Sequence, residues 1–180
     1  MQINEALRDL FSAAAKPLVI AIDGPAGSGK STLAGEIARA FAGTYSIEII
    51  HLDELYDGWD NALRKELFEQ LLEVTAAQDA SKVIEIPIYA WAINAFAGSR
   101  QLKPAQLLII EGVGSANRLL RTHLTTSIWL DIDQSIGLTR VLERDGYEIH
   151  DQMVKWQEME SQYFARDLTR ESAEFILSTQ

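Results

Sequence analysis

The segment Gly24-Pro25-Ala26-Gly27-Ser28-Gly29-Lys30-Ser31-Thr32 constrains this chain more than any other. It fulfils the pattern Gly-x-x-x-x-Gly-Lys-Ser/Thr, and its flanks are those the pattern needs. Leu18-Val19-Ile20-Ala21-Ile22 precedes it, a continuous apolar run that reads as a strand buried on both faces. Leu33, Ile37 and Phe41 follow it four apart, with Ala34 and Ala38 alongside, a helix face that stops at Gly43. A glycine-rich loop between strand and helix can bring several backbone N–H groups against phosphate oxygens, and the helix N-terminus adds positive charge. On this reading Gly24, Ala26, Gly27, Ser28, Gly29, Lys30, Ser31 and Thr32 cradle a nucleoside triphosphate. Lys30 sets a point charge against the β- and γ-phosphates, Ser31 gives its hydroxyl to Mg²⁺ and Thr32 supports the cradle. The expected cofactors are ATP and Mg²⁺, with the choice between ATP and GTP left open.

The rest of the chain continues the alternation of strand and helix. Ile3, Leu7, Leu10 and Phe11 recur at helical spacing and predict an N-terminal helix over residues 1–16. Ser46–Leu52 reads as a second strand, and Asp60 as the cap of a helix whose stripe is Leu63, Leu67, Leu71 and Val74. Val83–Tyr89 is a short strand or an extended excursion, and Ala90–Gly98 has no readable period. Gln106–Ile110 is a buried strand ending at Glu111-Gly112, and Ser127–Ile132 is another. Asp133 can cap a helix carrying Ile136, Val141 and Leu142 that Gly146 ends. A long helix follows from about Asp151 to Glu171, and Ala173–Leu177 reads as the last strand. Such alternation points to one α/β domain over residues 1–180, its parallel sheet covered on both faces.

Charge narrows the function. The chain has 16 basic and 26 acidic residues, a net charge of −10, which argues against a nucleic-acid or anionic-membrane binder, since both need a basic face. It has no cysteine, so a disulfide framework, a thiolate zinc site and a cysteine nucleophile are all excluded, and a reducing cytoplasm suits it. No apolar run reaches the roughly 20 residues of a membrane span, and Glu5, Arg8 and Asp9 break residues 1–16 so that they lack the uninterrupted apolar stretch of a signal peptide. His51, His123 and His150 have no second ligand at metal spacing and read as structural.

Downstream of the loop, Leu52-Asp53-Glu54-Leu55-Tyr56 resembles the Asp-x-Phe/Leu-Tyr segment of uridine-kinase-like enzymes. Glu111-Gly112 and the Arg140, Arg144, Asp145 group match that family's order of motifs, from about Leu18 to Leu177. The resemblance implies a P-loop NTPase fold with a five-stranded parallel sheet flanked by helices, a short lid at about residues 140–166, and transfer of the ATP γ-phosphoryl to a hydroxyl of a small-molecule acceptor. It implies that Asp53 is the base, with Lys30, Arg140 and Arg144 as further catalytic groups. Ser31, Glu111 and Asp53 would serve Mg²⁺, and Tyr56, Tyr89 and Trp91 the acceptor. The physics agrees, because ligands of open α/β sheets lie at the carboxyl ends of strands, where Asp53 and Glu111 fall. One departure bears on the acceptor: the family carries Tyr-Asp-Phe/Trp where this chain has Tyr89-Ala90-Trp91. The Ile22 to Gly27 opening also resembles cytidylate kinase, a nucleoside monophosphate kinase, although Arg64 is the sole arginine between Arg39 and Arg100. A nucleotide-binding switch or assembly ATPase is the alternative from another class.

Overall fold

The computed structural model describes residues 3–179. Its centre is a five-stranded sheet in the order β2-β5-β1-β6-β7. The members are β1 (Leu18–Asp23), β2 (Ile47–His51), β5 (Leu107–Glu111), β6 (Thr126–Asp131) and β7 (Phe175–Ser178), and every pairing is parallel. Side chains alternate across such a sheet, and both faces are covered. Leu18, Ile20 and Ile22 of β1 with Leu107 and Ile109 of β5 meet α1 (Ile3–Ala13) and α2 (Lys30–Phe41) through Leu7, Phe11, Ile37 and Phe41. Val19, Leu108 and Ile110 face the other way. They meet α3 (Lys65–Asp79), α4 (Gln134–Asp145) and α5 (His150–Asp167) through Leu71, Val74, Val141, Trp156 and Phe164.

Val83–Tyr89 resolves as a strand, β3 (Ile84–Ala90), and the segment without a readable period, residues 90–98, holds the turn and the first half of β4 (Ala95–Leu102), which pairs with β3 antiparallel in a separate two-stranded sheet. Asp60 does not cap α3. That helix starts at Lys65 behind Arg64, and residues 59–63 are turns, so Leu63 lies outside the helical stripe. Gly58, with φ of 71°, bends this stretch so that Trp59 packs against Trp91 and Trp156 instead. Asp133 does cap α4, accepting from the N–H groups of Ser135 and Ile136. The last long helix stops at Asp167 rather than near Glu171, because Leu168 turns left-handed while the Asp167 carboxylate is held by Arg121 at 2.6 Å.

Register sets the site. Glu111 pairs with Ile22 on one side and His51 on the other, so β2, β5 and β1 end level, and the loop after β1 emerges at that edge. The helical pair α4 and α5 covers the loop from the side. Gly137 of α4 is what lets it approach: a Cβ there would lie 2.6 Å from the Ala26 carbonyl oxygen, and one on Gly27 would lie 2.3 Å from that of Gly137. From residue 150 on, the expected lid range belongs to α5, whose Met153, Trp156, Tyr163 and Phe164 are part of the core. Gly146 and the turn Tyr147–Ile149, exposed at Tyr147 and Glu148, join it to α4.

Two glycine substitutions separate this close approach from helix propensity. Replacing Gly by Ala in a helix interior gains about 1 kcal/mol when space allows. Gly35 of α2 has no atom within 4 Å of a new Cβ, so Gly35→Ala should stabilise the protein by up to that amount. Gly137→Ala should instead destabilise it by about 1–3 kcal/mol, the cost of overpacking. Urea denaturation of the two variants checks the sign, and equal stability would contradict the packing.

Candidate active site

The phosphate loop is built by short-range geometry. Gly24, Gly27 and Gly29 all have positive φ, at 141°, 79° and 90°. A side chain at Gly24 or Gly27 would strike neighbouring backbone, whereas nothing lies within 4 Å of the Gly29 position, on the open side of the loop. The Ser28 N–H closes the turn onto the Pro25 carbonyl at 3.1 Å, and its side chain is wholly buried. Lys30 starts α2, and its Nζ donates to the carbonyls of Gly24 and Pro25, both at 2.8 Å. The first N–H groups of that helix, from Lys30, Ser31 and Thr32, have no intrahelical acceptor and point to where an anion would bind. Burial lowers the Lys30 ammonium pKa, and the carboxylates of Glu160, Glu111 and Asp23 oppose the shift.

Two buried carboxylates fix this loop, and neither was singled out from the sequence. Asp23, at the end of β1 and 1% exposed, accepts from the N–H groups of Gly24 at 2.8 Å, Gly114 at 3.1 Å and Ala116 at 2.9 Å. It thereby ties the loop to the segment after β5. Burial raises its pKa to about 6 despite those bonds. Glu160 of α5, 2% exposed, accepts the Ala26 N–H at 3.2 and 3.1 Å on its two oxygens and the Trp156 Nε1–H at 2.8 Å. Burial raises it to about 7, with Lys30 as the largest opposing influence. Sequence offers a faint signal for Asp23, directly before Gly24. Glu160 shows none, since it comes from a helix 134 positions away.

The loop forms one wall of a cleft of about 790 Å³, within the size range of small-molecule sites. Ala26, Gly27, Gly29, Lys30, Ser31 and Thr32 line it, as do Asp53, Tyr56, Trp91, Glu111, Arg140 and Arg144. Three expected site residues are not on its surface. Gly24 and Ser28 lie behind the loop, and Tyr89 is buried against Trp91 and Phe96 with its hydroxyl near Gly58. Ala26 reaches the cleft, but its N–H is committed to Glu160.

At the level strand ends, Ser31 Oγ–H donates to Glu111 Oε1 at 2.8 Å, and His51 Nδ1 faces the same oxygen at 2.5 Å. His51, read from sequence as structural, is raised in pKa chiefly by that bond. A serine hydroxyl beside one carboxylate fits Mg²⁺, which is held by one or two carboxylates plus phosphates rather than by a full protein cage. Among the described residues no cluster of three or more His, Cys, Asp or Glu could hold a metal alone. Asp53, exposed on the cleft wall, is raised above the usual aspartate range by desolvation and then by Glu111. Arg140 donates to the Gly27 carbonyl at 3.5 Å and that of Thr179 at 2.8 Å, and Arg144 pairs with Asp145 at 2.6 Å.

Aromatic rings make the other end of the cleft. Trp59 lies 5.0 Å from Trp91 and 5.7 Å from Trp156, and Tyr56 lies 5.5 Å from Trp156. Their polar tips are mostly spent on protein: Tyr56 OH donates to the Val113 carbonyl at 2.8 Å and Trp91 Nε1–H to that of Asp53 at 2.9 Å. The sequence suggested Tyr56 and Trp91 and left Trp156 unnoticed.

The chain matches the family model described as an AAA domain over residues 20–164. It is 31% identical over 149 residues to a uridine kinase of Lactobacillus johnsonii, covering 74% of this chain and 70% of that one. A uridine kinase of Staphylococcus aureus is 27% identical over 144 residues, covering 72% and 69%. Among solved structures, a candidate fructose transport system kinase from Silicibacter sp. TM1040 aligns over all of both chains at TM-score 0.70 and 21% identity. A candidate uridine kinase from Bacillus stearothermophilus aligns over 96% of this chain and 99% of its own at TM-score 0.66 and 18% identity. These last two speak for the fold alone. Phosphate loop, strand-end carboxylates and sequence kinship agree: the chain belongs to the uridine-kinase-like P-loop kinases, a family of ATP-dependent phosphotransferases.

Proposed function

We propose that the protein transfers the γ-phosphoryl group of ATP to a hydroxyl of a small, uncharged, ring-bearing acceptor. The observation that carries this reading is that Asp53 lines the same cleft as Lys30 and the Ser31–Glu111 pair, with the aromatic wall beside it. The loop N–H groups and Lys30 would bind and orient the donor phosphates, and Ser31 with Glu111 would hold Mg²⁺. When bound, that ion neutralises charge developing on the β- and γ-oxygens. Asp53 accepts the proton of the attacking hydroxyl and holds its oxygen in line. Arg140 and Arg144 balance charge on the migrating group, and the exposed turn after Arg144 acts as the short lid. A cysteine-free chain with this chemistry suits the cytoplasm.

The acceptor class follows from what the cleft offers. Its cations, Lys30, Arg140 and Arg144, are the groups assigned to phosphate, which leaves none for an acceptor's own carboxylate or phosphate. A monophosphate acceptor, as in the cytidylate kinase alternative, is disfavoured on this ground. Ring faces of Tyr56, Trp59, Trp91 and Trp156 suit a flat or apolar ring. Ala90 supplies a methyl group where the family has an aspartate for the ribose, so a nucleoside would be held mainly by its base.

Asp53→Asn should lower kcat by about 100-fold or more, the usual worth of a general base, with Mg·ATP affinity within a few-fold of the parent. In the parent, kcat/KM should fall as pH drops through the Asp53 pKa, because the protonated carboxyl cannot take a proton. Since that pKa is raised, the acidic limb should lie above the ordinary aspartate range near 4 and be absent from the variant. A variant as active as the parent would remove Asp53 as the base.

A coupled assay with several acceptors tests the pocket. Uridine should be phosphorylated far faster than D-glycerate or shikimate. Its 2′-deoxy analogue should lie within about tenfold of uridine, against the 10⁴-fold or greater rejection seen where a site is built around a hydroxyl. Preference for either acid would contradict the uncharged acceptor.

A further inference from the structure

Trp156 and Glu160 are four apart on α5 and so share one helical face. Trp156 has its ring against Tyr56 and Trp59 in the aromatic end of the cleft, and its Nε1–H on Glu160 Oε2 at 2.8 Å. The same carboxylate accepts the Ala26 N–H of the phosphate loop. We propose that Glu160 is a positioning residue that couples the acceptor wall to the phosphate loop, through hydrogen bonds to Trp156 and Ala26 shared by one buried carboxylate. The inference rests on the loop being the donor site, and assigns Glu160 no contact with either substrate.

Geometry gives the coupling its strength. Glu160 is 2% exposed, and above its pKa of about 7 the hydrogen bonds to its carboxylate are roughly twice as strong as neutral ones. A loop N–H held this way cannot shift without disturbing the carboxylate, and the indole is held to the same oxygen. The second element is Lys30, the cation that most favours the ionised form of Glu160. Its ammonium bonds the Gly24 and Pro25 carbonyls. Once drawn to phosphate it compensates Glu160 less, and the carboxylate then depends more on the Ala26 and Trp156 donors. Gln157 Nε2–H, bonded to the Gln134 carbonyl at 2.8 Å, fastens the same turn of α5 to the start of α4. The helix therefore gives little when the loop pulls on Glu160.

The coupling is testable without the natural acceptor, using Mg·ADP as probe and titration calorimetry as readout. Trp156→Phe keeps a ring in the wall and removes the N–H. It should weaken Mg·ADP binding by about 3- to 10-fold, the loss of one hydrogen bond, although Trp156 is on the acceptor side. Glu160→Gln keeps one carbonyl acceptor but loses the charge, so its bonds to Ala26 and Trp156 become neutral and weaker, and it should weaken binding too. Adding Trp156→Phe to Glu160→Gln should then cost less affinity than Trp156→Phe costs in the parent. A second readout is indole emission: the part of the nucleotide-induced change that Trp156→Phe abolishes should be diminished in Glu160→Gln. Far-ultraviolet circular dichroism of each variant verifies folding. If Glu160→Gln does not fold, the Trp156→Phe affinity alone decides. Parental affinity in Trp156→Phe, or effects that multiply in the double variant, would overturn the coupling while leaving the donor site intact. A parent protein that binds no Mg·ADP would overturn both.

Discussion

The active edge depends on a phosphate loop gripped from two sides by buried carboxylates. Asp23 takes the N–H groups of Gly24, Gly114 and Ala116, and Glu160 takes that of Ala26. Taking a carboxylate out of water is expensive unless hydrogen bonds and an opposite charge compensate it. Backbone N–H groups supply the first here and Lys30 the second, so the lysine needed for phosphate is also the cation that makes its supports tolerable. Anionic phosphates can therefore be bound by a chain of net charge −10: the positive potential is local, made of oriented dipoles and one ammonium.

From that grip the division of the cleft follows. Asp23 fixes the segment after β5, and with it the Tyr56–Val113 bond and the start of the aromatic wall. Glu160 fixes α5, whose Trp156 completes the wall, and the Gly137 contact sets α4 so that Arg140 reaches the Gly27 carbonyl. Under the proposed function, phosphate chemistry is confined to the strand edge and ring recognition to the helices and hairpin opposite.

Much of this was legible in the sequence, and the reasons differ by element. The strands of the central sheet are continuous apolar runs, and Asp133 and Gly146 act where their chemistry predicts. The phosphate loop is contiguous, so its spacing alone specifies its shape. The β3–β4 hairpin was obscure because it carries little buried surface on either face and its turn falls in the irregular Trp91–Asn94 stretch. Asp60 misled because a good capping residue was outweighed by the packing of Trp59 on other tryptophans. Glu160 and the His51–Glu111 contact were invisible, and Asp23 nearly so, because each ties residues distant in the chain, and composition carries no trace of such pairings. Tyr89 was read as a pocket wall, but the hairpin turns its ring into the core.

A crystal structure with Mg²⁺ and a non-hydrolysable ATP analogue tests the central claim most directly, namely that this edge is the donor site of a kinase. The account predicts phosphate oxygens on the N–H groups of Gly27 and of Gly29 to Thr32, Lys30 Nζ moved from the Gly24 and Pro25 carbonyls onto phosphate, and Mg²⁺ between Ser31 and the phosphates beside Glu111. The Ala26 and Gly24 N–H groups should remain on Glu160 and Asp23. A nucleotide bound elsewhere, with Lys30 still on the Gly24 carbonyl and Ser31 still on Glu111, would contradict it.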